Sequence, residues 1–151
     1  MRNDTETDLS EAQRRDLRLI AGIMVPASEE FAVPGADDAA IFDDILRSLG
    51  RDRASVRDAL TRLAAQAGGA LAALDDARRQ TVADAFLASD APEVATLGRV
   101  ILQCYYRDDR VMRSLGLEPR PTFPKGHTLE QGDWSLLDAV RGRAKMWRDA
   151  P

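Results

Sequence analysis

Apolar residues in this chain return every three or four positions, and no segment alternates apolar and polar with period two over strand length. That spacing belongs to helices that bury one face, so the expected class is all-α. Capping residues, glycines and prolines cut the pattern into pieces. Ser10-Glu11-Ala12-Gln13 reads as a capping box opening a helix whose face carries Leu17, Ile20, Ile23 and Met24, and Pro26 ends it. Residues 26–37 hold two prolines and a Pro34-Gly35 turn signal and read as a loop.

The next helix begins at about Asp38, with Ile41, Phe42, Ile45, Leu46 and Leu49 on its buried stripe and Gly50 after it. Val56, Leu60, Leu63, Ala64 and Ala67 keep the same period until Gly68-Gly69 breaks it. A helix over about Asp76–Ala88 buries Val82, Phe86 and Leu87. Pro92 suits the first turn of another, faced by Val94, Leu97, Ile101, Cys104 and Tyr105. A short helix spans Asp108–Leu115. Asp133 caps a last one whose face carries Trp134, Leu137, Val140, Ala144 and Trp147. The expectation is six or seven helices in one domain over 10–151, behind a flexible end at 1–9.

Between the last two helices the pattern dissolves. Pro119, Pro121, Pro124, Gly126 and Gly132 make residues 116–132 an extended arm, and structureless stretches of this length tend to be functional or disordered. Five of the eight aromatic residues lie between Tyr105 and Trp147. Proline lowers the entropy lost when an arm is ordered, and aromatic side chains carry large contact areas. Two readings stand level: an arm packed over its own helices, and an arm that docks on a partner.

Composition narrows the chemistry. With 44% hydrophobic residues the chain is too apolar for disorder, and no apolar run approaches the roughly 20 residues of a membrane span. One cysteine and one histidine exclude an internal disulfide, a Cys-rich zinc site and a His–His metal pair. Nineteen of the 21 basic residues are arginine, but 25 acidic residues are interspersed with them, so no nucleic-acid footprint follows. No nucleophile elbow, phosphate loop or dinucleotide-binding fingerprint occurs. The Asp pairs at 37–38, 43–44, 75–76 and 108–109 sit mainly at helix starts or beside arginines, where capping explains them better than acid–base chemistry. Cys104 on an apolar face reads as buried and inert. Adjacent Tyr105 and Tyr106 point about 100° apart on a helix, one to the core and one to an edge. Arg14-Arg15 before Leu19–Val25 is faintly similar to a twin-arginine export signal, but Arg18 interrupts the apolar stretch and the helix reading prevails.

Several segments taken in order resemble the gluconate 2-dehydrogenase subunit 3 family. They are Ile23-Met24-Val25-Pro26-Ala27; Val33-Pro34-Gly35-Ala36-Asp37-Asp38-Ala39; Cys104-Tyr105-Tyr106 with Val111-Met112-Arg113-Ser114-Leu115-Gly116-Leu117; Pro124-Lys125-Gly126-His127; and Gly132-Asp133-Trp134-Ser135-Leu136-Leu137. The likeness covers most of residues 10–148. It implies a small, non-catalytic subunit beside a large FAD-dependent subunit of the glucose–methanol–choline oxidoreductase type, which oxidises a sugar, sugar acid or related alcohol. In some complexes a cytochrome c accepts the electrons.

On that resemblance the chain itself carries no catalytic, cofactor or metal residue, and FAD belongs to the partner. The residues expected at the interface are Tyr106, Phe123, Pro124, His127 and Trp134 on the arm, with Phe31 and Pro34 on the first loop. No nucleic acid and no direct membrane insertion are expected. The cytoplasm is the expected compartment, with the periplasm as the alternative for a chain exported with its partner or stripped of a signal. A free-standing helical binding or regulatory protein is the competing class. A self-sufficient enzyme using Asp pairs and His127 ranks last.

Overall fold

The computed structural model of the chain describes residues 8–121, 123, 125–126 and 128–148. The chain groups into two units, Met1–Pro119 and Arg120–Pro151, and each is described by itself. The fold is all-α. Among the described residues there is no strand, only an isolated antiparallel bridge between Ser28 and Val33. No helix among them is long and apolar enough to cross a membrane.

The first unit holds α1 (Glu11–Met24), α2 (Ala39–Ser48), α3 (Arg53–Ala67), α4 (Asp76–Leu87), α5 (Pro92–Tyr105) and α6 (Asp109–Ser114). Short 3-10 turns at Gly50–Asp52 and Leu71–Ala73 lead into and away from α3. Most helix starts follow from one side chain each. The Ser10 hydroxyl accepts from the Gln13 amide at 3.2 Å while the Gln13 side chain accepts from the Ser10 amide at 3.0 Å, completing the capping box. Asp38, Asp75 and Asp108 accept from backbone amides of the first turns of α2, α4 and α6. The Asp pairs are therefore largely structural, as their positions suggest. α3 ends on Gly68 at φ 69°, a left-handed conformation that a side chain disfavours.

Packing centres on α3 and α5, which lie against each other; α1 and α4 also pack on α3, and α2 packs on α5. Ile20, Ile45, Leu63, Phe86 and Ile101 have no exposed surface. In α4 the interior positions are Ala83 and Phe86 rather than Val82 or Leu87, which are half-buried. Ala83 and Phe86 are three apart and share the face toward α3, so their immediate neighbours fall to either side of it.

Polar contacts tie the ends down. Leu9 is buried, and Asp8 pairs with Arg14 at 2.7 Å and with Arg53 at 2.6 Å, so the last two residues of the expected loose end are held. Asp16 is the one buried charged residue among those described. It accepts from the Ala72 amide at 3.3 Å and links α1 to the second 3-10 turn. Arg110 joins two helix starts, reaching Asp38 at 2.7 Å and Asp108 at 3.0 Å. Its hydrogen bonds hold both carboxyls below their ordinary value of 3.8.

In the second unit the Arg120 guanidinium donates to the Gly126 carbonyl at 2.6 Å. Asp133 does cap a helical segment, accepting from the Ser135 amide at 3.0 Å and the Ser135 hydroxyl at 2.6 Å. The long amphipathic helix expected to follow is absent. A 3-10 turn at Trp134–Leu137 passes into α7 (Asp138–Arg141), which stops before Gly142. Trp134, Val140 and Trp147 of the expected stripe are exposed. A short helix needs a packed face to offset its nucleation cost, and the few residues of this unit provide no core for one.

Two outcomes follow. Phe86→Ala should lower unfolding free energy by about 3–5 kcal/mol in urea titrations, because α4 has no other large side chain fully inside. Arg110→Ala should cost about 1 kcal/mol at neutral pH, the pair being partly exposed. Because Asp38 and Asp108 titrate below 3.8 in the folded chain, their stabilisation is present above that value and fades as pH falls through their folded values. The gap between wild type and variant should therefore narrow on acidification below about pH 4.

Candidate functional site

The loop between α1 and α2 folds back on itself. Ser28 and Val33 exchange two backbone hydrogen bonds of 3.0 Å each. The Ser28 hydroxyl accepts from the Phe31 amide at 3.3 Å, and the Ala32 amide donates to the Glu29 carbonyl at 3.1 Å. Closing so small a turn drives Ala32 to φ 51°; it is the one non-glycine among the described residues with positive φ. Such a conformation costs about 1–2 kcal/mol for a residue with a Cβ. Its effect is to hold Phe31 at the tip, 65% exposed.

The loop's return is equally constrained. The Ala36 amide donates to the Val25 carbonyl at 2.9 Å. A Cβ added at Gly35 would lie 2.5 Å from an Asp37 carboxylate oxygen and 2.9 Å from the Ala27 nitrogen, so only glycine fits there without movement.

Across from Phe31 lies the end of α5. Tyr105 is buried and Tyr106 is 55% exposed, as their angular offset on a helix requires. Their rings meet edge to face with centroids 5.3 Å apart. Burial raises the Tyr105 hydroxyl above its ordinary pKa, with smaller contributions from Tyr106 and Asp108, so it stays a neutral phenol. α6 adds Val111, buried, and Leu115, 56% exposed, is the residue just past its end. Together Phe31, Val33, Tyr105, Tyr106, Val111 and Leu115 line a groove of about 230 Å³.

A second, polar cleft of about 330 Å³ lies where α2 meets the end of α5, with Asp44, Arg47, Cys104 and Arg107 in its wall. Arg107 pairs with Asp44 at 2.6 Å, bonds the Ser48 hydroxyl, and approaches the Cys104 sulfur at 3.6 Å. A cation thus does stand beside this cysteine, which the sequence gives no sign of. Burial still dominates and pushes the thiol up from its ordinary value, because Arg107 is already neutralised by Asp44. No cluster of three or more potential metal ligands occurs among the described residues.

The groove gathers two of the seven residues expected at an interface, Phe31 and Tyr106, from positions 75 apart in sequence. Pro34 is half-buried at the base of the loop and does not line the groove. Phe123 and Trp134 belong to the second unit, where they are 87% and 60% exposed. Pro124 and His127 lie outside the described residues. Val33, Val111 and Leu115 are wall residues that sequence reasoning missed. The first two are short aliphatics with no distinctive spacing, and Leu115 read as the ordinary end of a helix. No protein-family model, curated protein or solved structure matches the chain.

The contrast between the two tyrosines is testable. Tyr105→Ala should destabilise the chain by about 3–5 kcal/mol, whereas Tyr106→Ala should stay within about 1 kcal/mol in the same denaturant titration. Cys104 should react with a thiol-directed chromogenic reagent only on the timescale of unfolding, and at once in denaturant.

Proposed function

We propose that this chain is a non-catalytic small subunit that binds and stabilises an FAD-dependent dehydrogenase acting on a sugar or related alcohol. The observation that carries the reading is the meeting of Phe31 and Tyr106 in one apolar groove of the first unit. Tyr106 lies in one of the segments whose resemblance suggested an accessory subunit, and Phe31 lies between two of them. The second unit adds support of a different kind. Phe123, Leu129, Trp134, Leu136, Met146 and Trp147 are all more than half exposed, a concentration of large apolar side chains suited to burial against another protein.

In this reading the flavin, the hydride acceptor chemistry and the electron exit belong to the large partner, with a cytochrome c as one acceptor. This chain contributes contact surface. Seating the groove and ordering the residues around Trp134 would remove apolar area from water on both partners, and the partner's folded state would gain whatever this chain binds preferentially. The cytoplasm is the proposed compartment, with the periplasm as the site of action if the complex is exported as a unit.

Coexpression tests the proposal. A large flavoprotein from the same host should give more soluble, FAD-loaded and active enzyme with this chain than without it. The F31A/Y106A double variant should retain at most about a tenth of the captured flavin, the range expected when two central aromatic contacts are truncated. Equal yield, flavin content and CH–OH dehydrogenase activity in the presence and absence of the chain would defeat it.

A further inference from the structure

The groove is smaller than the roughly 300–1,000 Å³ typical of small-molecule pockets, and apolar side chains dominate its wall. That size suits one or two side chains of another protein. The charges around it add a second constraint. Arg107 is held by Asp44, Arg110 by Asp38 and Asp108, and Arg113 by Asp109. Glu29 and Glu30, which precede Phe31 at the loop tip, are exposed and make no ion pair with any described residue. Of the charges on the segments that supply the groove's wall, the two left without an ion pair are therefore negative. Loop geometry keeps them in place, since the Ser28–Val33 bridge and the left-handed Ala32 fix where residues 29–31 stand.

We infer that the groove seats an aliphatic or aromatic side chain presented on a basic segment of the partner protein, with lysine or arginine flanking the anchor. The anchor fills the space between Phe31, Tyr106 and Leu115, and its cationic neighbours meet Glu29 and Glu30. Each exposed pair of this kind adds only a few-fold in affinity, so two together reach about tenfold, and they also speed encounter and reject partners carrying acidic segments. For the partner's identity alone this rests on the accessory-subunit reading; the groove's preference does not.

Two arms test it on the full-length chain. In the first, isotope-labelled protein is titrated with two synthetic peptides sharing a Leu-Phe-Leu centre, one flanked by lysines and the other by glutamates. The lysine peptide should shift the resonances of Phe31, Tyr106 and Leu115 saturably. Its apparent affinity should fall about tenfold in the E29K/E30K variant or when salt is raised from about 50 to about 500 mM. No response, an equal response to both peptides, or shifts confined to residues 120–148 would overturn the inference.

In the second arm, wild type and E29K/E30K are compared for capture of the yellow dehydrogenase at low salt. A loss of about tenfold supports the inference. Undiminished capture sinks it and leaves the accessory reading standing. If wild type captures no flavoprotein, the accessory reading fails and the peptide titration alone decides the groove. Unchanged resonance dispersion in E29K/E30K shows that the variant is folded, as expected for two exposed loop positions.

Discussion

The burial of α5 governs the first unit. Six of its residues, Val94, Leu97, Val100, Ile101, Cys104 and Tyr105, are withdrawn from solvent, and α2, α3 and α4 all pack against it. Each large apolar side chain removed from water contributes roughly 1.5–3 kcal/mol, so no other element rivals this helix as a source of cohesion. Its rotation about its own axis is fixed by that burial. Once Ile101 and Tyr105 face inward, Tyr106 has to face outward, because successive helical residues are about 100° apart. The groove is thus a geometric by-product of the helix with the most buried residues.

The electrostatic ties supplement this packing and serve mainly to set where helices begin. Arg110 spans two of the aspartates that cap helices, so the start of α2 and the start of α6 share one cation. Because α6 supplies Val111 and positions Leu115, this contact helps place one wall of the groove relative to the loop that supplies the other. Asp16 on α1 plays a comparable part, its carboxylate taking up a backbone amide of the 3-10 turn after α3. These are local, short-range devices. They specify register and approach between elements whose affinity for one another is hydrophobic.

The helical architecture was legible because its signals are local. The capping box at Ser10–Gln13, the aspartate caps, Pro92 and the glycine stop at Gly68 each act within one turn, and the apolar spacing between them reports a face directly. The division of labour between Tyr105 and Tyr106 followed from the same periodicity. What escaped depended on residues distant in sequence. Nothing local says that Leu115 will stand near Phe31, that Arg107 will pair with Asp44, or that Asp16 will find the Ala72 amide. The expected helix through Trp147 failed for a related reason. Periodicity records a face that could be buried, and among the described residues of the second unit none is buried against it.

Ala32 separates two demands that usually compete. The bridge between Ser28 and Val33, the left-handed Ala32 and the Ser28 hydroxyl hold the turn without using the side chains of residues 29–31, which stay outside the core. Mutations there can change what the tip recognises while leaving the packing of α3 against α5 untouched. The surface at the tip and the stability of the fold can therefore drift independently in this chain. Substitutions at 29–31 can accumulate without loss of the fold, with position 32 itself confined to residues that tolerate a left-handed backbone.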